Sequence, residues 1–266
     1  MMLEIRELSK TFNPGTAIAN KVIDSLDLYV GQADFITLLG SNGAGKSTLL
    51  NLIAGTVEAD SGTIILEDKD ISSKKAYERA MYIGRVHQDP KLSVSPNMTL
   101  LENLSLAESK GQSFSLKKAV NLSRISYYKE HLETLGLGLE DKLNTKIGLL
   151  SGGQRQAVAL YMSVMKKPKL LLLDEHTAAL DPRTSELIMK VTDTLIKQEG
   201  IATLMVTHNM KHALEYGNRL IMMNEGKIVR DIKGETKSAL TTSDVIQMFK
   251  DTAGSDSIED RMVLGY

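Results

Sequence analysis

An α/β domain built on a largely parallel sheet, with an antiparallel β portion near the N-terminus and a helical subdomain inserted in its middle, is the fold that this sequence predicts. Three observations predict it. A glycine-rich run, Gly40 to Thr48, lies between an apolar strand pattern and an amphipathic helix pattern. A fully apolar run, Leu170 to Leu173, ends in the carboxylates Asp174 and Glu175. From there to about residue 231, strand and helix patterns alternate, which implies parallel strands with helices on both faces of the sheet.

The whole chain sets the limits. Its 266 residues, 42% of them apolar, can supply a substantial core, which excludes a disordered or fibrous chain. A net charge of −1 provides no global basic field and argues against a nucleic-acid partner. Without cysteine there is neither a disulfide framework nor a thiolate zinc site, which suits a reducing, cytoplasmic setting. No run approaches the roughly 18 apolar residues of a membrane helix, so action at a membrane requires another chain to span it.

Along the chain, Leu3 to Leu8, Val22 to Val30 and Asp34 to Leu39 read as strands, the first two forming the antiparallel portion around an Asn13-Pro14-Gly15 turn. A helix follows from Lys46 to Ala54, then strands at Thr63 to Leu66 and Met81 to His87. Leucine-spaced polar sequence marks the helical subdomain, at about 90–152, with Gly111, Gly136 and Gly138 interrupting it. Next come a helix from Gly153 to Lys166, ended by Pro168, and the buried strand Leu170 to Leu173. A helix begins at Pro182 and a strand runs from Ile201 to Thr207. After a helix from Met210 to Tyr216, a hairpin (Arg219 to Met223, Lys227 to Asp231) turns at Asn224-Glu225-Gly226. One domain is expected over 1–250 and a polar, frayed tail over 251–266.

The run Gly40-Ser41-Asn42-Gly43-Ala44-Gly45-Lys46-Ser47-Thr48 fits the phosphate-binding P-loop, and its strand–loop–helix context is the one that pattern needs. Glycines 40, 43 and 45 let backbone amides turn toward phosphate oxygens, and the helix start adds partial positive charge. Lys46 then meets the β and γ phosphates of ATP, and Ser47 offers a hydroxyl to Mg²⁺. Asp174 and Glu175 leave the C-terminal end of a buried strand, the edge where open α/β sheets bind ligands. Asp174 is placed to hold Mg²⁺, and Glu175 to orient and deprotonate an attacking water. In Leu150-Ser151-Gly152-Gly153-Gln154, a serine and two glycines open a helix and offer a second anion site. A serine N-cap explains the same residues structurally.

That last run resembles the signature motif of ABC (ATP-binding cassette) ATPases, and the other landmarks of the family follow in order from Leu3 to about Asp231. The resemblance implies a P-loop NTPase fold of the ABC nucleotide-binding type. It implies two copies paired head to tail, the Ser151-Gly152-Gly153-Gln154 segment of each capping ATP on the P-loop of the other. Gln88 is similar to the glutamine that touches Mg²⁺ and the attacking water, and Asp181, in Ala178-Ala179-Leu180-Asp181, to the aspartate of the loop that crosses the dimer interface. His208 resembles the switch histidine at the γ phosphate, and Phe12 the aromatic that stacks on adenine. His176 departs from the family, which usually has proline after the catalytic glutamate.

The resemblance further implies a transporter ATPase, peripheral on the inner face of the cell membrane and coupled to an integral-membrane permease. A separate ATPase chain favours import of a small solute such as an amino acid, with an external solute-binding protein. The competing expectations are a soluble ABC ATPase of the iron–sulfur assembly type and, less in keeping with Glu175, Gln88 and His208, an ATP sensor without turnover.

Overall fold

In the computed structural model, residues 1–112 and 120–253 are described. Strands β1 (Leu3–Phe12), β2 (Asn20–Val30) and β3 (Phe35–Gly40) precede helix α1 (Lys46–Ala54). Then come β4 (Ser61–Leu66), β5 (Lys69–Asp70), the short α2 (Ala76–Arg79) and β6 (Ile83–Val86). Helices α3 (Leu100–Glu108), α4 (Ile125–Glu133) and α5 (Gly152–Val164) lead to β7 (Leu170–Asp174), α6 (Pro182–Glu199) and β8 (Ala202–Val206). The chain continues with α7 (Met210–Glu215), β9 (Arg219–Asn224), β10 (Lys227–Lys233), α8 (Gly234–Ser238) and α9 (Thr242–Ala253).

Two sheets result. The first is antiparallel, in the order β2-β1-β4-β5; the second runs β10-β9-β3-β8-β7-β6 and is parallel except for its edge strand β10. Strands β3 and β8 are buried throughout and β7 up to Leu173, as covering on both faces requires. The two-residue period of β7 divides the core. Leu170 and Leu172 join α1 and the antiparallel sheet on one side, whereas Leu171 and Leu173 join α5, α6 and the helical segment on the other. A third cluster packs Val245 and Phe249 of α9 against Leu220 and Met222.

Helix starts follow local chemistry. Thr99 and Glu102 cap α3 reciprocally, Ser151 and Gln154 do the same for α5, and Asp181 followed by Pro182 opens α6. Gly200, in a left-handed conformation, ends α6.

Several boundaries differ from the sequence expectation: β1, expected to end at Leu8, pairs on to Phe12. The strand expected over Met81 to His87 is the shorter β6, because Met81 and Tyr82 are exposed and carry no alternating buried face. The segment expected as a tail from residue 251 begins inside α9, whose buried Val245 and Phe249 anchor a helix reaching Ala253. Residues 254–266 and 113–119 lie outside the described part of the chain.

Candidate functional site

The glycine-rich loop joins the end of β3 to the start of α1. Gly45 has φ 98°, and a Cβ there would lie 2.7 Å from the Val22 carbonyl oxygen, so only glycine fits. The loop is braced from outside: the Gly226 amide donates to the Ala44 carbonyl at 3.1 Å, and the Asp24 amide to the Gly226 carbonyl at 3.2 Å. The hairpin turn and β2 therefore fix the loop's shape. The first amide of α1 to reach back along the helix is that of Leu49, to the Gly45 carbonyl at 2.8 Å. The amides of Ser47 and Thr48 precede it and have no intrahelical acceptor, which suits them to an anion. Lys46 is buried, its Nζ donating to the carbonyls of Gly40 at 2.6 Å and Ser41 at 3.0 Å. An ammonium held in the mouth of such a loop is an anion receptor.

Strand β7 delivers Asp174 to the same place. The Ser47 hydroxyl donates to Asp174 Oδ1 at 3.0 Å, while Arg85 Nη2 lies 3.7 Å from Oδ2. Arg85 also donates to Asn51 Oδ1 at 2.7 Å and Thr56 Oγ1 at 3.3 Å, so it joins β6, α1 and β7. Burial pushes this guanidinium below its ordinary value, and the Asp174 carboxylate acts in the opposite sense. Sequence reasoning missed Arg85. The available signal was a cation inside a strand pattern, which needs an anionic neighbour. His87, also missed, is depressed by burial first and then by Arg85.

Glu175 has φ 47°, a left-handed backbone that costs a non-glycine residue about 1–3 kcal/mol. Its amide donates to the Val206 carbonyl at 3.1 Å, and its Oε1 lies 2.5 Å from His208 Nε2. Thus the ends of β7 and β8 bring Glu175 and His208 together, as α1 and β7 bring Ser47 and Asp174 together.

The remaining expected residues lie elsewhere. Gln88 is exposed and lines an open cavity of about 190 Å³ with Lys91, Gly152, Arg155, His176 and Leu180. Ser151 is an exposed N-cap, its Oγ accepting from the Gln154 amide at 3.2 Å. Gln154 in turn accepts from the Ser151 amide and donates to the Leu137 carbonyl at 3.0 Å, so its side chain braces the helix start. A Cβ on Gly153 would lie 2.2 Å from Thr184 Cγ2, so the Thr184 side chain packs closely on this glycine where α5 meets α6. Asp181 caps α6 through the Thr184 amide at 3.1 Å, and that bonding holds its carboxyl below the usual range. Phe12 closes β1 opposite Asn20, half-exposed, with Lys10 Nζ 5.7 Å from the ring centre.

The profile of the ABC transporter family matches residues 23–178. A tyrosine transport ATP-binding protein of Clostridioides difficile (strain R20291) is 44% identical over 249 residues, covering 94% of this chain and 99% of that protein. A solved ATP-binding cassette of an ABC transporter in its ADP conformation superposes with a TM-score of 0.76 at 29% identity, covering 93% of this chain and 98% of the other. A dimeric ATP-binding cassette in a post-hydrolysis state, bound to ADP and Pi, gives a TM-score of 0.73 at 27% identity, covering 87% and 98%. A phosphate-binding loop, an adjacent carboxylate pair and a matching cassette fold thus agree: the chain belongs to the ABC transporter family, as an ATP-binding and ATP-hydrolysing subunit.

Proposed function

We propose that this chain drives import of a small solute, an amino acid such as tyrosine, by hydrolysing ATP against an integral-membrane permease from the inner face of the cell membrane. The observation that carries the reading is the meeting of the Lys46 loop, the Ser47–Asp174 contact and the Glu175–His208 contact at one edge of the parallel sheet. The 44% identity over nearly the whole chain to a tyrosine transport ATP-binding protein supports tyrosine as the cargo.

In this reading Lys46 and the loop amides of 40–48 hold the phosphates, Phe12 stacks on adenine, and Glu175 takes the proton of the attacking water. His208 contacts the γ phosphate, at the point where it already meets Glu175. Mg²⁺ supplies positive charge to the phosphate oxygens, with Ser47, Asp174 and Gln88 to hold it. The donor set suits it: a hydroxyl and a carboxylate 3.0 Å apart are hard oxygen ligands of the kind Mg²⁺ takes alongside substrate phosphates. A second copy completes each site through Ser151, Gly152, Gly153 and Gln154, with Asp181 at the interface. The exposure of Ser151 and the dimer seen in a related cassette support this arrangement.

A separate permease is needed because, among the described residues, no helix is long and apolar enough to cross a membrane. An external solute-binding protein would select the cargo. The test is purification of the native complex in detergent, followed by reconstitution into vesicles with ATP on the side of this chain. Co-purification of a membrane subunit and ATP-dependent uptake of labelled tyrosine are expected. Co-purification of a soluble assembly complex instead would move the chain to a non-transport role.

A further inference from the structure

His176 follows Glu175 directly and is 2% exposed. Its Nε2 lies 3.1 Å from Oγ1 of Thr192, a fully buried residue 16 positions along the chain, on α6. The Thr192 hydroxyl proton is committed elsewhere, to the Ile188 carbonyl at 2.7 Å. The hydroxyl oxygen is therefore the acceptor and His176 the donor, which fixes the neutral imidazole with its proton on Nε2. Burial, reinforced by His212, pushes His176 down to about 3, in keeping with a neutral donor.

The backbone explains what such a bond does. Glu175 adopts φ 47°, a conformation that persists only when its surroundings over-determine it. On one side its amide is held by the Val206 carbonyl. On the other, the Ala178 amide donates to the Glu175 carbonyl at 3.0 Å, closing a turn, and the next side chain inward is His176. Without an anchor there, the turn could relax and carry the carboxylate with it.

We propose that His176 and Thr192 form a positioning pair, whose hydrogen bond ties the Glu175 turn to α6 and so fixes the direction of the Glu175 carboxylate. The inference rests on Glu175 being the base that activates water. His176 also lines the cavity with Gln88, Gly152 and Leu180, so the same tether sets one wall of the space between the Gln88 loop and the start of α5. Neither His176 nor Thr192 meets nucleotide in this account. Their effect runs through Glu175.

The test compares Thr192→Val, which keeps shape and removes the acceptor, with Thr192→Ser, which restores it, in the full chain. Dissociation constants for a fluorescent ATP analogue, binding stoichiometry, and kcat and KM for ATP are measured on each. Thr192→Val is expected to lower kcat by about 10-fold, within the range that a small misplacement of a reacting group costs. Affinity and stoichiometry should stay within twofold of wild type, and Thr192→Ser should recover most of the rate. His176→Ala should lower kcat similarly, and combining it with Thr192→Val should add little, because both remove one bond. If Thr192→Val turns over at the wild-type rate, or loses bound ATP in proportion to rate, or is not rescued by serine, the positioning pair is wrong. Glu175→Gln is run alongside. A dead Glu175→Gln with a normal Thr192→Val overturns the tether alone; an active Glu175→Gln overturns the base assignment and the tether with it.

Discussion

Lys46 illustrates how local pattern and distant partner share control at the residue scale. Its glycines, helix start and position are consecutive in sequence, so its anion-binding character is legible there. Lys46→Ala removes the ammonium while the braced loop persists, and a charged hydrogen bond of this kind contributes about 2 kcal/mol. ATP affinity, measured by titration of a fluorescent analogue, should therefore fall by tens of fold. Phe12→Ala tests the stacking role, with an expected loss of about 1–3 kcal/mol in nucleotide binding, the usual contribution of an aromatic beneath a base. Equal affinities, read from the same titration, would return Phe12 to the end of β1 as a packing residue. Arg85 and the His176–Thr192 pair were not legible as partners. Arg85 finds Asn51 34 residues away and Asp174 on the neighbouring strand, and His176 finds Thr192 on the next helix. A cation inside a strand pattern signals that Arg85 needs an anionic neighbour, but one sequence does not say which residue fills that place before the fold brings the two together.

At the scale of elements, strands buried on both faces and helices with caps were legible from periodicity: α1 runs from Lys46 to Ala54 as its amphipathic pattern predicts. Helix α9 was not predicted, and its last residues were assigned to the tail, although Thr241 and Asp244 cap it reciprocally, because its largely polar stretch shows its role only when Val245 and Phe249 reach the third cluster. Two elements also invite measurement. Arg79, from α2, donates to the Leu52 and Ile53 carbonyls at the end of α1 and to those of Lys74 and Ser72, at 2.7 to 3.0 Å. Arg79→Met would leave buried acceptors unmet and should lower stability by about 3 kcal/mol in chemical denaturation.

Between β9 and β10, Arg219 holds Asp231 in a two-pronged ion pair at 2.7 and 2.6 Å and keeps its carboxyl below the usual range. A depressed carboxylate stabilises the fold above its unfolded value, near pH 4, and ceases to as pH falls through the folded value. The Asp231 side chain is 42% exposed, so solvent screens the pair and about 1 kcal/mol is expected. Asp231→Asn should accordingly lower the thermal midpoint at pH 7, and the two midpoints should converge as pH falls through the folded value of the Asp231 carboxyl.

The molecule as a whole brings its site together from segments far apart in sequence. The loop after β3, the ends of β7 and β8 and the start of α1 meet at one sheet edge, while Ser151 opens α5 on an exposed helix start. In the proposed cycle, ATP bridges the loop of one copy and the Ser151-Gly152-Gly153 turn of another, and hydrolysis releases them. A two-state element biased by nucleotide can transmit force to a permease. Glu175→Gln isolates the bridged state, since glutamine keeps the reach of glutamate but cannot take the proton from water, a loss of about 10²–10⁴ in rate. Size-exclusion chromatography with light scattering on this variant is the direct measurement. The account predicts a monomer without nucleotide, a dimer retaining two ATP when Mg²⁺ and ATP are present, and wild type that returns to monomer as ATP is consumed. A variant that hydrolyses at the wild-type rate, or binds ATP and stays monomeric even with the membrane subunit present, would contradict it.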